Sequence, residues 1–265
     1  MEVKQQDIHT KENKIKKFIV KLLVFSFWLL VWDIASRLIN QELFLPSPKS
    51  VLITTYQLST TSDFWFSIGN SFVRIVIGFS LGLAVGIFLA IVSYSSKLIK
   101  ELISPLMRVI KATPVASFII LALVWISSVN LSILISFLMV LPVSFSNMLY
   151  GLHSTDEKLL EMARVFHLNR WKCIKAIYLP TVLPFIISAM SVGLGFSFKS
   201  GIAAEVIGRP INSIGLNLYE AKLYLMIKEL FAWTLVIIVL SIIFEKLVMW
   251  VIKRFEYNEK PRENI

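Results

Sequence analysis

The sequence predicts an all-α, polytopic membrane protein of about six transmembrane helices, and three observations carry that prediction. Of its 265 residues, 56% are hydrophobic, and the mean hydropathy is +0.73, well above that of an ordinary globular chain. The apolar residues gather in blocks of roughly 20, the length at which a helix crosses the hydrocarbon of a bilayer. Lys and Arg collect in alternate connecting segments, the charge asymmetry of a multi-pass chain.

Residues 1–17 form a basic arm with Lys4, Lys11, Lys14, Lys16 and Lys17. The arm leads into a first span at Phe18–Ile39, too long for the apolar core of a signal peptide and closed by no small-residue cleavage site. Five further spans are expected at Ile68–Tyr94, Ile103–Ile126, Leu131–Tyr150, Thr181–Ile207 and Phe231–Ile252. Pro105, Arg108, Lys111 and Pro114 interrupt the third, which reads as an interfacial helical turn feeding a shorter, tilted span from about Thr113. A polar loop, 152–180, separates the fourth and fifth spans. Residues 18–252 thus form the transmembrane domain, and 253–265 a basic tail.

Six spans place both termini on one side. That side collects the arm, Lys97 and Lys100, then Lys158, Arg164, Arg170, Lys172 and Lys175, then Lys253, Arg254, Lys260 and Arg262; the other holds Lys49, Arg209, Lys222 and Lys228. The positive-inside bias therefore predicts cytoplasmic termini and a multi-pass protein of the cell membrane.

The net charge of +10 follows from the same loops, and no basic patch interleaved with aromatics points to nucleic acid. Cys173 is the single cysteine, and His9, His153 and His167 lack metal-ligand spacing. The chain contains neither a GxxxxGK[ST] phosphate loop nor an HExxH motif. It is expected not to be an enzyme and not to hydrolyse ATP by itself. A membrane-embedded enzyme would need acids, His or a Ser–His pair clustered within its spans.

Two spans carry stripes of small residues. Gly78, Gly82, Gly86 and Ala90 recur every four residues and read as helix packing. Gly193, Ser197 and Gly201 do the same in the fifth span and, lying beside Lys199, are candidates for a pathway wall or a dimer face. Lys199 falls in the outer half of its span, where an uncompensated charge is costly. It either snorkels to the headgroups or stands beside a translocation path suited to an anionic or carbonyl-bearing substrate. Glu205 is another pathway candidate. It lies six residues further, about 120° around the helix, which leaves Arg74 or Arg209 rather than Lys199 as its partner.

The loop reads as two short helices with a break near His167. Thr155 or Asp156 caps the first, which presents Leu159, Leu160, Ala163 and Phe166 on one face. The second, about Asn169–Ile177, presents Trp171, Ile174 and Ile177, and Pro180 and Pro184 mark the entry to the next span. An amphipathic hairpin resting on headgroups and a helix docked in a partner's cleft both fit these residues.

The spacing Glu161, Ala163, His167, then Ile177-Tyr178-Leu179-Pro180 is similar to the E-A-A-x3-G-x9-I-x-L-P coupling loop of binding-protein-dependent ABC-importer permeases. The likeness extends over nearly the whole chain. Leu45-Pro46-Ser47-Pro48, Ser71, Arg74, Gly78 and Gly86, then Ala203-Ala204-Glu205 and Gly215, resemble segments of the nitrate/sulfonate/taurine/bicarbonate branch. The resemblance implies a permease homodimer in the lipid bilayer, two ABC ATPase subunits and an extracytoplasmic substrate-binding protein. ATP and Mg would be held by the ATPase, with no cofactor on this chain. It implies docking positions at Glu161, Ala163, His167, Leu179 and Pro180, to which the bend adds Phe166 and Leu168 as apolar contacts. The cargo it implies is a small anion or organic acid such as a sulfonate, taurine, nitrate or bicarbonate. Two departures stand out: Met162 replaces the first Ala, and His167 replaces Gly, at a turn where a positive φ is expected. The alternatives are a permease of another ABC subfamily (amino acid, metal or vitamin precursor) and an ion-gradient-driven transporter. The last would show an inverted repeat with broken helices, and the sequence contains no convincing repeat.

Overall fold

The computed structural model describes residues 2–259, with side chains described over 19–250. The side chains of the basic arm and of the tail from 253 lie outside the described residues.

The chain starts with α1 (Glu2–Ile39), whose segment Ile19–Ile39 is largely apolar, with its charges Lys21, Asp33 and Arg37 towards the two ends, and is exposed along most of its length, the pattern of a span rather than of a half-buried helix. Its far end is tied down by Trp32 Nε1, which donates to the Pro46 carbonyl at 3.1 Å, and by Ser36 Oγ, which donates to that of Leu45 at 2.9 Å. The Leu45–Pro48 segment is thereby fixed, and α2 (Pro48–Ser59) follows. Ser47 caps α2, its Oγ accepting from Ser50 N at 3.2 Å, with Pro48 in the first turn where no N–H is needed.

Next come α3 (Ser62–Ser95), α4 (Lys97–Ala112), α5 (Val115–Ala122) and α6 (Ser128–His153). The loop holds α7 (Glu157–Val165) and α8 (Arg170–Cys173), and a π turn, Ile174–Tyr178, joins α8 to α9 (Leu179–Gly208). Then α10 (Ile214–Leu223) precedes α11 (Ile227–Glu259). Between the expected fifth and sixth spans the chain thus contains a further helix, capped by Ser213 Oγ accepting from Leu216 N at 3.0 Å.

Among the described residues, five helical segments are long and apolar enough to cross a bilayer singly, and α4 with α5, bent by 101°, makes a sixth candidate. The bend lies at Thr113–Pro114, where proline blocks helical continuation. The pair traverses the bundle rather than turning back. Lys100 of α4 reaches His153, the last residue of α6, while Ile119 and Ala122 of α5 pack with Leu131 and Ile135 near its first. The expected tilted third span is therefore two oblique helices.

The core is α3, α6 and α9. Between helices already in lipid, close van der Waals packing replaces the hydrophobic effect as the driving force, so small residues decide how near the backbones come. A Cβ on Gly82 would stand 2.8 Å from the Phe137 carbonyl and 2.9 Å from Val140, and one on Gly86 would stand 2.7 Å from the Leu141 carbonyl. Gly78 faces Ile133 and Ser136 in the same way. Ser144 Oγ crosses this seam to donate to the Gly82 carbonyl at 2.9 Å. Ile75, Phe79, Val140, Leu194, Phe198 and Phe244 fill the centre of the bundle.

Proline also explains the π turn. In a regular helix the ring of Pro180 would press on the carbonyl four residues earlier, that of Ala176. Here the helix widens just before it, and Leu179 N–H reaches back five residues to the Ile174 carbonyl. Pro180 and Pro184 thus lie inside one continuous helical path from Arg170 to Gly208 and do not begin a new one.

Candidate functional site

The loop hangs from two roots, the end of α6 and the π turn. Asp156 starts α7, its Oδ1 accepting from Lys158 N at 2.9 Å. The helix closes in a Schellman turn: Leu168 N–H donates to the Ala163 carbonyl at 2.9 Å and His167 N–H to that of Arg164 at 3.1 Å. His167 holds the left-handed position with φ 49°, a conformation that costs an L-residue about 1–2 kcal/mol relative to glycine.

Ala163 is the one buried side chain of α7, 5% exposed. Glu161 points to solvent, Pro180 is exposed and Leu179 is half-buried. Phe166, expected on the apolar face of α7, is 72% exposed because it forms the C-cap and leaves that face. Trp171, at 78%, and Ile174 are exposed, whereas Ile177 is buried. The shared face expected of these three is broken by the π turn, which shifts the register between Ile174 and Ile177. Val165, Phe166 and Trp171 thus form an apolar tip on a structured hairpin, with Leu168 beside them at 37%. Such a tip beyond the bundle is costly in water unless something covers it.

The pathway candidates divide between two faces of α9. Gly193, Ser197 and Gly201 are buried against α3 and α6. A Cβ on Gly201 would meet Ile75 and Ser136 at 2.7 Å, and one on Gly193 would meet Val140 at 3.3 Å. Ser136 Oγ donates to the Ser197 carbonyl at 3.1 Å. This stripe is helix packing within the subunit, not an open wall; the sequence signature is the same in both cases, and only the neighbours distinguish them. Lys199 lies on the opposite face with Val192 and Phe196, all three exposed. No ion pair among the described residues includes Lys199.

Glu205, fully buried, leaves the pathway set as well. Ser71 Oγ of α3 donates to its Oε2 at 2.6 Å, Gly215 N–H donates to the same oxygen at 3.3 Å, and Arg74 Nη1 stands 3.6 Å from Oε1. Ser71 Oγ in turn accepts from Ile214 N–H at 2.9 Å. One carboxylate therefore ties α3 and α9 to the start of α10. Of the two expected partners it takes Arg74, while Arg209 lies over the Tyr219 ring at 4.8 Å. Gly215 allows the contact, since a Cβ there would collide with Glu205 and with the backbone of Val206.

Sequence reasoning missed a second polar cluster at the loop side, made by Tyr94, Lys100, His153 and Tyr178. These residues come from four separate elements and follow no shared spacing. Only the order of span ends, which brings 94, 100, 153 and 178 to one side, could have hinted at it.

Residues 82–257 match the family model described as binding-protein-dependent transport system inner membrane component. The chain is 24% identical to the putative aliphatic sulfonates transport permease protein SsuC of Bacillus subtilis, covering 83% of this chain and 80% of that one. It is 26% identical to the nitrate import permease protein NrtB of Synechocystis, covering 77% and 76%. To the taurine transport system permease protein TauC of Escherichia coli it is 24% identical, covering 81% and 80%. Among solved structures, it resembles in fold an amino acid ABC transporter with histidines, with a TM-score of 0.56 at 17% identity, over 78% of this chain and 96% of the other.

Proposed function

The chain belongs to the family of binding-protein-dependent transport inner membrane components, and from that membership we propose how it works and what it carries. Two copies form the membrane path of an importer. Each presents its 152–180 loop to an ABC ATPase subunit in the cytoplasm, where both termini also lie, and its opposite face to a soluble binding protein. ATP and Mg are held by the ATPase, whose closure displaces the loops and shifts the path from inward- to outward-facing. The observation that carries this reading is the hydrogen-bonded corner of the loop, whose apolar Val165, Phe166 and Trp171 are exposed and need a partner.

The cargo is a small anion of the sulfonate or nitrate kind. The relatives are permeases for aliphatic sulfonates, nitrate and taurine, and Lys199 supports the same chemistry. An exposed ammonium at that depth is tolerable only where water, a partner or an anion meets it. The deciding experiment purifies the tagged chain from its native membrane in gentle detergent and identifies the proteins retained. An ABC ATPase subunit should co-purify and should be lost when Phe166 and Trp171 are both changed to Asp. Recovery of the intact chain without any ATPase would overturn the reading.

A further inference from the structure

The cluster at the loop side has a geometry that the coupling loop alone does not require. Tyr94, at the end of α3, lies edge-on to His153, with ring centroids 5.2 Å apart and planes at 67°. The same ring meets Tyr178 at 6.3 Å and 77°. His153 is the last residue of α6 and Tyr178 the last of the π turn, so one α3 side chain touches both roots of the loop. Lys100, in the first turn of α4, places Nζ 3.2 Å from His153 Nε2. An ammonium can only donate, so in this contact Lys100 is the donor and Nε2 the acceptor.

These contacts join the loop to the point where α3 gives way to α4. Only Ser96 separates those helices, and α4 continues into the bent crossing at Thr113–Pro114. Tyr178 also ends the one π turn on the path from the loop to α9, a place where helices commonly yield.

We propose that Tyr94 is a positioning residue that clamps both roots of the 152–180 loop, through His153 and Tyr178, to the α3–α4 junction, so that displacement of the loop moves the bent α4–α5 crossing. The proposal rests on the importer reading for its role in transport, while the clamp itself can be examined on the chain alone. Edge-to-face ring contacts have the right character for such a joint. They persist over a range of angles, whereas a single hydrogen bond weakens steeply with misalignment.

Cys173, the single cysteine, stands on α8 beyond the Tyr178 root and can carry a nitroxide label in the otherwise native chain. Tyr94→Ala should raise the label's mobility in the full chain in nanodiscs, and Tyr94→Phe, which keeps the ring, should not. In proteoliposomes holding the complete importer, Tyr94→Ala should leave ATP hydrolysis within about twofold and lower substrate moved per ATP by about tenfold, the scale of mutations that disturb coupling. Tyr178→Ala, which frees one root and leaves the Tyr94–His153 contact, should lower it less, and the double variant should fall no further than Tyr94→Ala, which already removes both contacts. Should Tyr94→Ala reduce assembly, Tyr94→Leu replaces it, keeping bulk without the ring edge. Unchanged label mobility in the Ala and Leu variants would overturn the clamp, as would equal loss in the Phe variant or losses that multiply in the double. A wild-type chain that recruits no ATPase would sink the importer reading instead, and label mobility would still decide the clamp.

Discussion

Ser71 and Glu205 stand 134 residues apart in the chain and meet at 2.6 Å. The serine hydroxyl donates to the carboxylate and accepts from the Ile214 amide, so it serves two helices besides its own. Ser71→Ala would leave a buried amide and a buried carboxylate oxygen short of a partner, and each such loss costs about 1–3 kcal/mol. The melting temperature in detergent should fall measurably, while Ser71→Thr, which keeps the hydroxyl, should fall less. Glu205→Ala should be worse than either, since it strips Ser71 and Gly215 of their shared acceptor and Arg74 of its ion-pair partner.

The glycine seam makes a second, graded prediction. Gly82→Ala and Gly86→Ala push a methyl into α6 backbone and should destabilise by about 1–3 kcal/mol, the usual cost of overpacking. Gly69, on the same helix, has nothing within 4 Å of where its Cβ would lie. Gly69→Ala should therefore be neutral or gain up to about 1 kcal/mol from helix propensity. Thermal unfolding of the three variants side by side checks the order.

His167→Gly removes left-handed strain while keeping both Schellman hydrogen bonds, so transport-coupled ATPase activity should hold or rise. His167→Val places a β-branched residue at φ 49°, where it is a genuine outlier, and should lower that activity. A complete loss in the glycine variant would count against the placement of this turn in the ATPase contact.

Among the described residues Lys199 joins no ion pair, so its charge should matter for cargo and little for folding. Lys199→Ala should leave assembly unchanged by size-exclusion chromatography. Loss of a charge-assisted contact costs about 1.5–3 kcal/mol, so uptake of a labelled sulfonate or nitrate should fall about tenfold or more. Lys199→Arg should retain most of it. Normal uptake by the Ala variant would remove the pathway role.

Much of this architecture is legible without coordinates, because the bilayer imposes a strong length rule and because caps and turns have local chemistry. Asp156 as a cap and the break at His167 are of that kind. The two short helices at 48–59 and 214–223 are not legible in the sequence, because neither stretch has a long apolar period. The interior face of α9 was misread for a different reason: Gly193, Ser197 and Gly201 approach Val140, Ile75 and Ser136 from other helices, and no local spacing encodes that. The Ser71–Glu205 contact and the Tyr94 cluster are likewise long-range facts.

The Schellman turn at His167 has a kinetic side. A flexible loop must be ordered when a partner arrives, and that entropy is subtracted from the affinity. Here the corner between α7 and α8 is set during folding, with two backbone hydrogen bonds holding it. A docking subunit thus meets a finished shape, so encounter rather than rearrangement should limit how fast the complex forms. Glycine at 167 would be less strained, yet it would hand some of that ordering back to the moment of binding.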